Sequence, residues 1–140
     1  MIVFDAKDCV AGRLASYTAK TLLKGEQVVI VNAELAILSG NAVKIVSKYS
    51  DRRGIQQKAD PEHSPKWPRR PDFLLKRIIR GMLPPHTARR SNAMKNLRVF
   101  MGVPKEYEGK GKPVAARKKQ DFTRKVITLG FICKKLGWKS

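Results

Sequence analysis

Acidic side chains are scarce in this chain: 11 Asp and Glu stand against 30 Lys and Arg in 140 residues, a net charge of +19. Histidine and cysteine are scarcer still, two of each. Cys9, His63, His86 and Cys133 pair nowhere at zinc-ligand spacing, so no metal site and no cofactor is expected. The two cysteines are far apart and suit small packing positions in a reducing cytosolic interior, not a disulfide framework. Long apolar runs are missing too. None approaches the ~18 residues of a membrane span, and Met1-Ile2-Val3-Phe4-Asp5 is too short for a signal sequence. Neither an internal repeat nor a low-complexity tract beyond basic loops is present.

The motifs of nucleotide chemistry are also lacking. A dinucleotide site needs a G-x-G-x-x-G turn so that backbone can approach a pyrophosphate, but the first strand–helix turn holds only Gly12. No G-x-x-x-x-G-K-[ST] string occurs. Gly109-Lys110-Gly111-Lys112 is rich in glycine and lysine, yet no clear strand leads in and no helix follows. Asp60, Glu62 and Lys66 could suggest a nuclease, but they sit in a proline-rich loop and not on a strand, where acids beside so many bases are more often local charge balance. Both histidines lie near prolines in loops, away from any Ser–His–Asp pattern. No small-molecule substrate is expected.

What is present is an α/β pattern. Val28-Val29-Ile30-Val31 is a run of four β-branched residues, suited to a strand covered on both faces. Ser39-Gly40-Asn41 offers a turn and a helix cap. Ala42, Ile45, Val46 and Tyr49 then follow at i, i+3, i+4, i+7 with Lys44 facing away. Upstream, Ile2-Val3-Phe4 reads as a strand. Asp8 is a candidate cap for a helix over 11–23, closed by Gly25. Two strands joined through a helix should lie parallel.

From Ser50 to Asp72 the period disappears. Pro61, Pro65, Pro68 and Pro71 interrupt a run holding Arg52, Arg53, Lys58, Lys66, Trp67, Arg69 and Arg70, expected to be a basic arm that orders on a partner. Asp72 is expected to cap a helix over 73–83, with Leu75, Ile78, Ile79 and Met82 inward and Lys76, Arg77 and Arg80 outward. A basic surface helix over 87–96 carries Arg89, Arg90 and Lys95. Leu97 to Val103 alternates like a strand and includes Arg98. Residues 104–119 have no core pattern and add Lys110, Lys112, Arg117, Lys118 and Lys119. A strand at 125–127 and a helix capped by Thr128 end the fold, with Leu129, Ile132, Cys133 and Leu136 inward, then Gly137 and Trp138. One domain over 1–140 is expected, with 50–72 and 104–119 as loops or arms.

The charge is unevenly placed. Residues 1–40 hold four bases (Lys7, Arg13, Lys20, Lys24) and four acids; the remaining 100 hold 26 bases and seven acids. A neutral scaffold carrying a cationic shell calls for a polyanion. Much of the charge is in loops, which disfavours a membrane-lying helix, and no DNA-reading module is evident. Folded RNA, met through shape, phosphate and 2′-OH, fits scattered cations. Trp67 could stack on a base or pack on the prolines.

Five strings in order, Gly12-Arg13-Leu14-Ala15-Ser16, Val29-Ile30-Val31-Asn32-Ala33-Glu34, Ser39-Gly40, Gly81-Met82-Leu83-Pro84 and Leu97-Arg98-Val99-Phe100-Met101-Gly102-Val103-Pro104, resemble the universal family of large-subunit ribosomal protein thirteen. The resemblance implies a three-layer α/β/α sandwich around a four-stranded, mainly parallel sheet. It also implies a non-catalytic role in the ribosome of the cytoplasm: binding large-subunit rRNA beside neighbouring ribosomal proteins and supporting subunit assembly and translation. By position, Arg13, the Gly81–Pro84 turn, His86, Arg89, Arg90 and Arg98 match the family pattern. Lys44, Arg52, Arg53, Lys66, Trp67, Arg69, Arg70, Lys76, Arg77, Arg80, Lys95 and the loop cations are further RNA-binding candidates. The loop after the second helix lacks the tyrosine–proline–glycine–glycine string of bacterial members. The closing helix, without a long eukaryotic tail, looks archaeal. The rival readings are a nucleic-acid-processing enzyme on the same sheet and an RNA-binding regulator outside the ribosome.

Overall fold

The computed structural model describes residues 1–113 and 125–139. Its frame is the strand β2 (Val28–Val31), whose four residues are all buried. On one side β2 pairs in parallel with β1 (Ile2–Asp5), Ile2 opposite Val28. On the other it pairs in parallel with β4 (Leu97–Val99), Val28 opposite Leu97. A two-residue strand, β5 (Lys112–Pro113), runs parallel along the outer edge of β1. Between β2 and β4 in sequence, β3 (Ile37–Ser39) leaves this sheet and pairs antiparallel with β6 (Val126–Thr128).

Among the described residues, five α-helices pack with these strands: α1 (Ala11–Leu23), α2 (Ala42–Gly54), α3 (Pro71–Gly81), α4 (Ala88–Lys95) and α5 (Leu129–Lys135). All five share one hydrophobic cluster, built on Val28 and Ile30 of β2 and including Leu14, Leu75, Ile79 and Ile132. The other sheet face carries Val3, Val29 and Val31, covered by Phe100 and Tyr107. Thus, among the described residues, a turn and two aromatic rings cover that second face where a helical layer was expected. The 104–113 stretch has a core role that its sequence concealed: Tyr107 is buried, with its ring 5.8 Å from Phe100.

Several local expectations are corrected. Asp8 caps nothing: it takes a left-handed φ of 56°, and Val10 precedes α1 without a side-chain cap. Pro71 opens α3 at its first turn, where the fixed φ of proline suits a helix start. Asp72 therefore sits inside the helix, its Oδ2 accepting from Arg70 Nη2 at 2.9 Å. Leu74, missing from the expected stripe, is fully buried, whereas Met82 is exposed. α2 continues to Gly54, which puts Arg52 and Arg53 on a helix instead of in a loop. β4 stops at Val99 because the chain then curls over the end of β2. The Asn32 and Ala33 amides donate to the Gly102 and Phe100 carbonyls, and Gly102 turns the chain at φ 65°.

The caps at Asn41 and Thr128 form as the sequence indicates, with Asn41 Oδ1 accepting from the Val43 amide at 2.9 Å. α5 approaches the turn at Glu34 so closely that a Cβ at Gly130 would lie 3.2 Å from the Glu34 carbonyl oxygen, which explains a glycine inside a short helix. On the buried face of α5, burial first and then the Asp72 carboxylate push the Cys133 thiol up to about 12. In the unfolded chain the thiol ionises from about pH 9, whereas in the folded chain it stays neutral to about 12, so between these values deprotonation favours the unfolded state. Stability should be insensitive to this group below pH 9 and fall between pH 9 and 12. Thermal melts across that window should slope less steeply for Cys133→Ala than for the parent.

Candidate RNA-binding surface

α3 carries its buried stripe on Leu74, Leu75 and Ile79 and so turns Phe73, Lys76, Arg77 and Arg80 away from the core. These four fall at i, i+3, i+4 and i+7, one face of a helix. The segment before α3 lies against that face. Lys66, Trp67 and Pro68 form the opposite wall of an open groove of about 440 Å³, with Met94 of α4 at its end. Arg80 and Met94 also line an adjoining depression with His86 and Arg90, so the two form one trough along α3 and α4. His86 is presented on a left-handed turn at φ 52°, and Thr87 caps α4 by accepting from the Arg90 amide at 3.3 Å.

Trp67 organises the wall. Its ring meets Tyr49 of α2 edge-on at 6.1 Å. The Arg77 guanidinium stands 4.1 Å from the Trp67 centroid and that of Arg52 4.9 Å. Arg77 Nη1 also donates to the Lys66 carbonyl at 2.7 Å. The Pro/Arg-rich stretch is therefore fastened to α2 and α3 by cation–π contacts and a hydrogen bond. Replacing Trp67 with Ala should release this segment. Limited proteolysis at Lys58 and Lys66 should become several-fold faster while the global melt shifts by only about 1–3 kcal/mol.

Electrostatically the trough is lopsided. Among the described residues, no carboxylate lines either part of it. Among the described residues, Arg70 with Asp72 is the only Lys or Arg within 4.0 Å of a carboxylate; the other ion pair is His63 with Asp60. Crowded cations leave a mark on Arg77, whose pKa is held below the usual range by burial, then by Arg80 and Arg52. An incoming anion would relieve that repulsion.

Of the sequence candidates, Lys66, Trp67, Lys76, Arg77, Arg80, His86 and Arg90 are brought together here. Others are not. Arg53 Nη1 donates to the Leu136 carbonyl at 2.9 Å and Arg89 Nη2 to the Leu23 carbonyl at 3.3 Å, so both tie elements together. Arg69 lies beside the Gly137 turn, and Arg70 over Phe73. Arg13 and Lys44 are exposed on α1 and α2, and Lys110 and Lys112 along the β5 edge. Lys95 and Arg98 flank a small depression near Met1. Arg117, Lys118 and Lys119 lie outside the described residues. Phe73 and Met94 were missed by the sequence reading. Phe73 could have been found, since it extends the Lys76–Arg77–Arg80 stripe by one turn.

The carboxyl ends of parallel strands are where α/β enzymes gather their chemistry. Here the carboxylates at that edge are committed to structure. Asp5 Oδ1 accepts from Asn32 Nδ2 at 2.9 Å, and both Glu34 carboxylate oxygens lie 3.1 Å from the Gly102 amide.

A sequence model of the family described as Ribosomal protein L13 matches residues 1–106. The chain belongs to the ribosomal protein L13 family. Relatives agree along its length. The large ribosomal subunit protein uL13 of Methanococcoides burtonii is 42% identical over 143 residues, covering 99% of each chain. That of Methanocaldococcus jannaschii is 41% identical over 140 residues, again 99% of each. That of Methanococcus maripaludis is 46% identical over 105 residues, 74% of this chain and 77% of its own. The L13 match by family model stops at 106, while the near-full-length archaeal relatives carry the likeness through α5. The trough between Lys66 and Met94 falls wholly within the family region.

Proposed function

We propose that this L13-family chain is a structural constituent of the large ribosomal subunit in the cytoplasm, binding large-subunit rRNA and catalysing no reaction. The observation that carries the rRNA contact is the trough along α3 and α4, lined among the described residues by cations and by no carboxylate. Arg80, Arg90, Lys66, Lys76 and His86 would meet phosphates there. Arg13, Lys44, Lys95, Arg98, Lys110 and Lys112, on other faces, would meet further RNA segments, as large rRNA can surround a small protein. Commitment of Asp5 and Glu34 to internal hydrogen bonds supports a scaffold over an enzyme.

The same reading takes a four-stranded, mainly parallel sheet as the frame, with Lys112–Pro113 as the fourth strand and the 100–113 stretch as the layer on its second face. Neighbouring subunit proteins belong to it as well. Val43, 75% exposed, and Phe131 share an apolar groove between α2 and α5 that a protein neighbour would cover.

Sedimentation of lysate from cells expressing tagged protein tests the proposal. The tag should travel with the large subunit through a sucrose gradient and leave it after RNase treatment. A tag that stays at the top of the gradient with intact subunits present contradicts a ribosomal role and favours a free RNA regulator.

A further inference from the structure

The trough has a feature that duplex binding does not require. Contacts to helical phosphates use cations and polar donors, and gain nothing from an apolar floor. Here Phe73, half exposed, lies in the same groove as Trp67 and Met94. Each ring already carries a guanidinium: Arg77 is 4.1 Å from the Trp67 centroid and Arg70 is 5.0 Å from that of Phe73. Arg77 is further pinned by the Lys66 carbonyl at 2.7 Å. A guanidinium immobilised before the ligand arrives loses little freedom on binding, and its remaining donors can still fork onto a phosphate. Burial and the nearby Arg80 and Arg52 strain its charge in the absence of an anion. At about 440 Å³, the groove falls within the size range of small-ligand pockets, ~300–1,000 Å³. It has room for one nucleotide.

We infer that this groove seats a single unstacked RNA nucleotide, its phosphate on Arg77 and Arg80 and its base against Phe73 and the Arg77 plane. The inference rests on the RNA-binding reading above and adds the RNA element recognised: a bulged or looped-out base beside a helix. Unstacked bases are characteristically met by aromatic rings and guanidinium planes.

The test uses the full chain and two RNA hairpins, one fully paired and one identical but for a single bulged 2-aminopurine. Binding of the bulged hairpin should be about tenfold or more tighter at equal salt, and the 2-aminopurine emission should fall as the base stacks. Phe73→Ala changes a half-exposed side chain and leaves the core intact; Arg77→Lys keeps the charge and loses the plane. Both should abolish the preference and the emission change, and Phe73→Ala, which removes no phosphate contact, should hold affinity for the paired hairpin within about twofold. Equal, salt-sensitive binding of both hairpins by the parent protein would overturn the seat and leave RNA binding standing. Failure to bind either RNA would overturn both. Displacement of the probe by adenosine monophosphate at equal concentration would assign the groove to a free nucleotide and overturn the inference.

Discussion

Raising monovalent salt from about 50 to 200 mM should lower the affinity of the purified protein for its large-subunit rRNA fragment by about a thousandfold or more. The expectation follows from the accounting of cations. Only Arg70 among the described lysines and arginines has a carboxylate within 4.0 Å, so the shell has few internal counterions to trade against RNA. Each phosphate neutralised releases condensed counterions, and six to ten such contacts give roughly three to five decades over that range. Arg80→Ala and Arg90→Ala should each reduce the log–log slope by about one. Among the described residues neither side chain has a hydrogen bond or ion pair, so stability should change by less than about 0.5 kcal/mol. An affinity that barely responds to salt would mean that the cations face solvent and not phosphate.

The second large effect lies in the scaffold. Ile30→Ala should destabilise the fold by about 2–5 kcal/mol and lower the melting temperature by roughly 10 °C. Ile30 is fully buried in β2, between β1 and β4, and belongs to the cluster shared by all five helices. Truncation removes three methyl or methylene groups and leaves a cavity that paired strands cannot collapse into. Val43→Ala, on the exposed face of α2, should cost less than about 0.5 kcal/mol in the isolated protein. A near-neutral Ile30→Ala would move the centre of the core elsewhere.

The frame was legible because each clue was local. The β-branched run at Val28–Val31 identified β2, and the i, i+3, i+4 spacing with Gly25 and Thr128 marked the ends of α1 and the start of α5. The clue failed where tertiary contacts overrode local pattern. α2 runs through Asp51-Arg52-Arg53 with no apolar stripe; Arg53 reaches the Leu136 carbonyl and Arg52 the ring of Trp67. The alternation from Leu97 to Val103 resembled a long strand, but the Asn32 amide captures the Gly102 carbonyl and ends it early. In the site, the cations of α3 were visible as a helical face. Their union with Lys66 and Trp67 was not, because the proline-rich stretch has no period and its docking depends on a Trp–Arg contact across ten residues.

The central claim is that a nearly uncharged α/β frame holds a cationic trough against folded RNA. Ultraviolet cross-linking of purified large subunits, with mass-spectrometric mapping of the RNA-modified peptides, addresses it most directly. Cross-links should concentrate on residues 66–94, with Phe73 and Trp67 peptides among the strongest, and be sparse over residues 14–40. Cross-links absent from 66–94 and gathered on residues 14–40 would contradict it.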